Sequence, residues 1–355
     1  MPIWLPIEPN EALSGARRCK KARSNNNIDE RRKETMKTKL SFILLASILA
    51  VLVLLCGSAF AWYYPPSNRI IDPIVDTVWL ADNAADVVIL DIRSTALYNA
   101  GHIPDSINEP FEVPFSAWIT MRDGLLLEVP EDNELFETIG SLGIEPDTWV
   151  VIVTAPNPNE PPFYGLANGT RVAATLIYAG VTNVAVLDGG YTKWETEGRP
   201  TETGSTNPTG GDYEGTVNKH MFVSADYVRR NLWRSDIIDA RDADVYFGVT
   251  IEPFADKAGH IPGAASLPAP WIWDSNGDEI YTFKDAETLG AMASGVLDQR
   301  RYWRPKKIVY CGVGGYASAW WFVLTQILGH QNVKFYDGSA QEWVREYDMV
   351  PYQWD

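Results

Sequence analysis

One set of short motifs is written twice in this 355-residue chain, and that repeat limits the fold more than any other feature. Val87-Val88-Ile89-Leu90-Asp91-Ile92-Arg93 and Ile237-Ile238-Asp239-Ala240-Arg241 are both apolar strand patterns ending in Asp-x-Arg. Each is followed by the same tetrapeptide, Gly101-His102-Ile103-Pro104 and Gly259-His260-Ile261-Pro262. Further on stand Leu187-Asp188-Gly189-Gly190 with Trp194, and Tyr336-Asp337-Gly338-Ser339 with Trp343. The offsets between copies are 148, 158 and 149 residues, so the second copy carries about ten extra residues around Phe247 to Asp256. A period this long means two homologous domains rather than a solenoid.

Within each copy, β-rich runs (Val150 to Thr154, Val184 to Leu187, Lys307 to Tyr310, Val333 to Tyr336) alternate with apolar helical patterns (Thr170 to Tyr178, Ala317 to Leu328). That alternation predicts βαβ units, hence an α/β fold with mainly parallel sheets flanked by helices. Residues 73–200 and 216–355 are the expected domains, joined by a Thr, Gly, Ser and Asn stretch over 201–215 that lacks apolar periodicity.

The candidate for chemistry is Cys311. The run Lys307-Ile308-Val309-Tyr310-Cys311-Gly312-Val313-Gly314-Gly315-Tyr316-Ala317 reads as a buried strand stopping at a cysteine, a glycine-rich turn and a helix start. Backbone N–H groups from Gly312 to Ala317 could ring the sulfur, and such dipoles favour a thiolate or a bound anion. The competing reading is a cysteine buried for packing alone. The first copy has no cysteine at this point: Val150 to Thr154 runs into Ala155-Pro156-Asn157-Pro158-Asn159-Glu160-Pro161-Pro162, whose prolines lack N–H donors. It reads as a structural partner domain.

The order Asp-x-Arg, Gly-His-Ile-Pro, strand-Cys-loop-helix, Asp-Gly-x-x-x-x-Trp resembles the rhodanese domain. A tandem pair with cysteine only in the second copy is similar to the thiosulfate and 3-mercaptopyruvate sulfurtransferases, over about Pro73 to Asp355. The resemblance implies that Cys311 carries sulfane sulfur as a persulfide, taken from a small donor and passed to a thiol or cyanide acceptor, with no cofactor. The rival within the same fold resemblance, a dual-specificity phosphatase, needs Cys-x5-Arg; Ala317 stands at that arginine's place, which removes the main charge stabiliser of phosphoryl transfer. A second class stays open, a persulfide carrier that delivers sulfur to a partner without fast turnover.

Substrate signals depart from the family pattern. Gly312 and Val313 replace the basic residues typical after a thiosulfate-type cysteine, and Cys311-Gly312-Val313-Gly314 lacks the hydroxyl of the mercaptopyruvate loop. Val245 and Phe254 stand where that family's substrate arginines are expected. Arg241 and Lys257 are the cations left to nominate for substrate binding. Val313, Tyr316, Val245, Phe254, Trp271 and Trp273 are expected to wall the pocket, penalising a doubly charged donor. That predicts weak activity with thiosulfate, better activity with mercaptopyruvate, and a less charged persulfide or polysulfide as a further donor class. Asp91, Arg93, Asp239, His102 and His260 are assigned structural duty, because the histidines and strand-end pairs recur in the copy without the thiol. No metal site is expected. Asn168-Gly169-Thr170 matches a glycosylation sequon, a weak pattern.

Residues 40–61 are uncharged and largely apolar, preceded by Lys37 and Lys39 and ending Ala59-Phe60-Ala61. Basic flank, apolar stretch and A-x-A exit describe a secretory signal peptide. Met36 serves as its start, which makes residues 1–35 a mis-assigned or disordered leader, 36–61 the signal and 62–72 a linker. Two alternatives remain: an uncleaved membrane anchor, and lipidation at Cys56, disfavoured by the bulky Val53-Leu54-Leu55 before it. All export the folded part, with a bacterial periplasm as the expected compartment. Cleavage would leave Cys311 as the sole thiol of Cys19, Cys56 and Cys311, which suits a thiol in use. Ten Lys or Arg and five Asp or Glu fall within residues 1–39, so the rest holds 20 and 41, a net of −21, unsuited to nucleic acid. N-terminal sequencing of protein from its own host should begin at Trp62-Tyr63-Tyr64; intact Met1 or an acylated Cys56 would refute cleavage.

Overall fold

A computed structural model describes residues 69–156, 161–277, 279–297 and 306–354. The leader, the apolar signal segment, Cys19 and Cys56 lie outside the described residues.

The strands are β1 (Ile74–Val75), β2 (Val88–Asp91), β3 (Ile107–Asn108), β4 (Thr120–Arg122), β5 (Leu125–Glu128), β6 (Trp149–Val153) and β7 (Asn183–Leu187) in the first copy. The second copy contributes β8 (Phe222–Val223), β9 (Asp236–Asp239), β10 (Ala264–Ser266), β11 (Trp273–Ser275), β12 (Tyr281–Phe283), β13 (Lys307–Tyr310) and β14 (Val333–Tyr336). Two five-stranded sheets form, β1-β7-β6-β2-β3 and β8-β14-β13-β9-β10, and every pairing in them is parallel. The orders correspond strand for strand, so the sequence repeat is a repeat of topology. β6 and β13 read as nearly continuous apolar runs because helices cover both faces of a parallel sheet. Each copy also extends an antiparallel hairpin, β4–β5 and β11–β12.

The strand-end motifs brace the following loops. Arg93 grips Asp91 through Nε and Nη2 (2.6 Å to Oδ2) and donates to the Gly101 carbonyl at 2.9 Å. Arg241 repeats this on Asp239 and the Gly259 carbonyl at 2.8 Å. His102 Nδ1 lies 2.9 Å from the Tyr98 carbonyl oxygen and His260 Nδ1 2.9 Å from that of Tyr246, each ring stacked on the same tyrosine. A carbonyl only accepts, so Nδ1 carries the proton in both.

The two copies interlock reciprocally. The helix Pro162–Ala179 ends at Gly180, whose φ of 105° lets its N–H close the last turn. It packs against Gly315–Phe322, a helix whose sequence is apolar on all sides and which is accordingly buried between the domains. The apolar pattern expected to run on to Leu328 as one helix changes to π-helical turns over Val323–Ile327. At the contact Thr170 Oγ1 and Ser318 Oγ lie 2.9 Å apart. Asp337, of the second Asp-Gly motif, accepts the Val129 N–H at 2.8 Å as the chain leaves β5. Asp188, of the first, accepts the Phe283 N–H of β12, also at 2.8 Å. Each motif thus holds the other copy's hairpin.

Arg171 strengthens one side of this clasp: fully buried, it pairs with Asp337 and donates to the Leu127 carbonyl at 2.6 Å. Removing one partner leaves a buried charge without compensation. Arg171→Leu should therefore lower unfolding stability by about 3–5 kcal/mol, against about 1 kcal/mol for Asp188→Asn, measured by denaturant titration. Equal midpoints for the two variants would refute this ranking.

Candidate functional site

β13 delivers Cys311 to the edge of a cavity of about 260 Å³ at the seam between the copies. The thiol is almost fully buried, at 3 % exposure. Gly314, at φ 96°, turns the chain so that its N–H points at Sγ from 3.1 Å. The loop's outward-facing groups are tied down as well: the Cys311 N–H donates to Ser339 Oγ at 3.1 Å, and the Cys311 and Gly312 carbonyls accept from Ala340 and Gln341. Gly312 is required by space. A Cβ there would overlap Phe254 and lie 2.8 Å from both carboxylate oxygens of Glu252.

The copy without a cysteine supplies half of the wall. Leu126 and Leu127 come from β5, and Tyr164, Ala167 and Asn168 from the helix Pro162–Ala179. The β5 segment is held by Gln341, whose side-chain amide takes the Leu126 N–H at 2.9 Å and donates to the Leu126 carbonyl at 2.8 Å. Asn168, the sequon residue, is half-buried on this helix and faces the cavity. The second copy adds Val313, Gly315, Tyr316 and Phe254, with the carboxylates of Asp242 and Glu252. Tyr164 and Tyr316 meet edge-on, 5.3 Å between centroids.

Electrostatics at the sulfur oppose one another. Burial pushes the Cys311 thiol up; N–H groups of Ala317, Val313 and Gly314 pull it down, and the Glu252 carboxylate raises it further. Burial wins, so the resting thiol is held above the ordinary range. The amide dipoles act in the expected direction, but around a sulfur almost fully buried the lost hydration of the thiolate outweighs them. Glu252 is itself pushed up to about 7, by burial first and then by Asp239 and Asp242, against the pull of Arg241. Burial also raises Asp242.

The nominated cations lie apart from the cavity wall. Arg241 is fully enclosed, its guanidinium committed to Asp239, the Gly259 carbonyl and, at 3.4 Å, Glu252. The Lys257 ammonium donates to the Tyr347 carbonyl at 2.8 Å and pairs with Asp348 at 3.2 Å. Of the expected wall, Val313, Tyr316 and Phe254 line the cavity, whereas Val245 is buried elsewhere, Trp273 packs against Phe163 and Trp271 is exposed. Residues missed in the sequence are Glu252, Asp242, Tyr164 and the β5 leucines. Glu252 stands between Val245 and Phe254, the positions expected for substrate arginines, and nothing in the sequence marks a carboxylate there as part of the wall.

Alkylation of Cys311 by iodoacetamide should follow a titration whose midpoint lies above that of an ordinary thiol. Glu252→Gln should move it down, since the variant removes a negative charge from the thiolate's surroundings. A midpoint below the ordinary value would contradict the dominance of burial.

The family model described as Rhodanese-like domain matches residues 75–197 and again 224–346. A putative thiosulfate sulfurtransferase of Mycobacterium leprae is 28% identical over 286 residues, covering 77% of this chain and 94% of that protein. The sulfur carrier protein TtuD of Thermus thermophilus is 30% identical over 290 residues, covering 76% and 93%. Among solved structures, SseA from Escherichia coli, described with the 3-mercaptopyruvate sulfotransferases, superposes with a TM-score of 0.62 at 25% identity, covering 76% of this chain and 99% of that one.

Proposed function

Since this chain belongs to the rhodanese-like family as a tandem sulfurtransferase, we propose that it moves a sulfane sulfur from a small donor to a thiol or cyanide acceptor through a persulfide on Cys311. The carrying observation is the placement of the buried Sγ beside a cavity at the seam with the Gly314 N–H aimed at it. In the first half-reaction the Cys311 thiolate attacks the outer sulfur of the donor. The donor's bond to that sulfur breaks, the leaving group departs with the electron pair, and an S–S bond forms on Cys311. In the second, the acceptor attacks the outer sulfur and the thiolate is restored. No net oxidation occurs.

The N–H groups of Val313, Gly314 and Ala317 serve the charged states of this cycle. They are fixed by the loop's own hydrogen bonds, so stabilising the anion requires little reorganisation. The absence of a side chain at Gly312 lets Phe254 and Glu252 close against the loop beside the nucleophile, and the β5 segment with Tyr164 forms the opposite wall. Thiosulfate, 3-mercaptopyruvate and persulfides are the donors within this proposal, and export with cleavage after Ala61 belongs to the same reading.

A second reading, a carrier that holds the persulfide for a partner protein, draws support from the likeness to a sulfur carrier protein. The two part in kinetics: a transferase turns over repeatedly with free acceptor, a carrier loads once and waits. Mass spectrometry after incubation with donor should show one added sulfur on the peptide bearing Cys311, and Cys311→Ser should abolish both the adduct and thiocyanate formation from cyanide. Sulfur transfer by Cys311→Ser at the wild-type rate would overturn the proposal; one loading without turnover would favour the carrier.

A further inference from the structure

We infer that the Cys311 cavity is built for a sulfane donor carrying an ammonium group, and that Glu252 selects it. The inference rests on the reading of Cys311 as the sulfur-accepting nucleophile and adds the chemistry of what reaches it.

Sulfane donors are commonly anions, and an anion-binding pocket needs a cation on its wall. Among the described residues lining this cavity there is no Lys, Arg or His; the charged side chains are Asp242 and Glu252. Two guanidiniums stand behind the wall: Arg171, committed to Asp337 and the Leu127 carbonyl, and Arg241, whose Nη1 Glu252 takes at 3.4 Å, so that Glu252 and not Arg241 lines the cavity. The other Glu252 oxygen, Oε1, accepts no hydrogen bond among the described residues, and its side chain keeps 19% exposure. Both oxygens sit beside Gly312, the residue after the nucleophile. A donor seated over Cys311 therefore meets a free carboxylate oxygen near its leaving group.

The apolar part of the wall suits the same ligand. Tyr164, Tyr316 and Phe254 bring three aromatic rings to one small cavity. An ammonium is attracted by aromatic faces, more so when desolvated. Carboxylates with aromatic rings form a recognition set for an organic cation, whereas a dianion would be repelled by Glu252 and would find no paired donor from a side-chain cation. Selection of this kind arises as much from repelling the wrong ligand as from attracting the right one.

A donor that meets these demands is an amino-substituted thiosulfonate. The Cys311 thiolate attacks its outer sulfur, the sulfur–sulfur bond of the donor breaks, the sulfinate leaves with the electron pair, and Cys311 persulfide remains. Charge and atoms balance, and no oxidant is needed. The ammonium takes no part in the bond changes and serves only to hold the leaving group against Glu252.

Three probes with the same reacting sulfur separate the effects: thiosulfate, ethanethiosulfonate, and 2-aminoethanethiosulfonate, which adds an ammonium to the second. The readout is the rate of Cys311 persulfide formation in a single turnover of the wild-type chain. The amino probe should load at least about tenfold faster than ethanethiosulfonate, and thiosulfate slowest of the three. In Glu252→Gln the ratio of amino to plain thiosulfonate should fall towards one. Using a ratio cancels the ionisation of Cys311 itself. The wild-type ratio gives a check that needs no variant: it should shrink as pH falls through about 7, where Glu252 takes up a proton among its neighbours Arg241, Asp239, Asp242, Tyr316 and Cys311. A wild-type ratio near one, or a ratio unchanged both in Glu252→Gln and across pH, overturns the inference while leaving sulfur loading intact. Absence of an adduct from all three probes removes the sulfur-transfer reading, and the inference with it.

Discussion

The pocket around Cys311 depends on the buried pairing of Arg171 with Asp337. One guanidinium joins three parts of the chain: the helix Pro162–Ala179 on which it sits, the β5 segment through the Leu127 carbonyl, and the loop after β14 through Asp337. The pair lies directly beneath the nucleophile's loop, since a Cβ on Gly314 would come 3.0 Å from Arg171 Nη1 and 3.2 Å from Asp337 Oδ1. The contact that joins the domains is thus also the floor of the turn that aims an N–H at sulfur. A buried ion pair of this kind contributes uncertain net stability but resists alternatives, because separating it strands a charge. Its service here is positional.

Burial has a second consequence at the sulfur itself. A thiol deprived of water is pushed towards its protonated form, and Glu252 adds to that effect. In the proposed cycle the amide donors would matter more once sulfur is loaded. A persulfide is a stronger acid than a thiol, so its anion would form more readily in the same surroundings, and the N–H groups of Val313, Gly314 and Ala317 are in place to hold it. On that proposal the cradle holds the intermediate more than it activates the starting thiol, which would serve turnover and carriage alike.

The sequence made the repeat legible because its motifs are local: Asp-x-Arg closes a strand on its own following loop, and Gly-His-Ile-Pro seats a histidine on a tyrosine of the preceding helix. The run of β13 into Cys311 and Gly312 to Ala317 was legible for the same reason. What escaped was the geometry made by distant parts. Nothing in Leu126, Leu127 or Tyr164 marks them as neighbours of a cysteine 147 to 185 residues downstream, since their placement follows from the docking of a hairpin and a helix. Arg241 and Lys257 were nominated for substrate because charge is visible in a sequence and its commitment is not: one is spent on Asp239, the other on Tyr347 and Asp348.

The copy that lacks a cysteine therefore has a positive role. Duplication alone would give two domains with two open loops, each exposing its nucleophile position to water. Here Asp188 and Asp337 each hold the opposite hairpin, so the two-fold relation of the repeat becomes a reciprocal clasp. One consequence is that the wall over Cys311 is made by β5 and the helix Pro162–Ala179, elements no longer tied to a nucleophile of their own. The first copy keeps the same sheet, the same Asp-x-Arg brace and its own hairpin without a cysteine after β6. The residues of this copy that face Cys311 across the seam therefore belong to its site as much as the loop that carries the sulfur does.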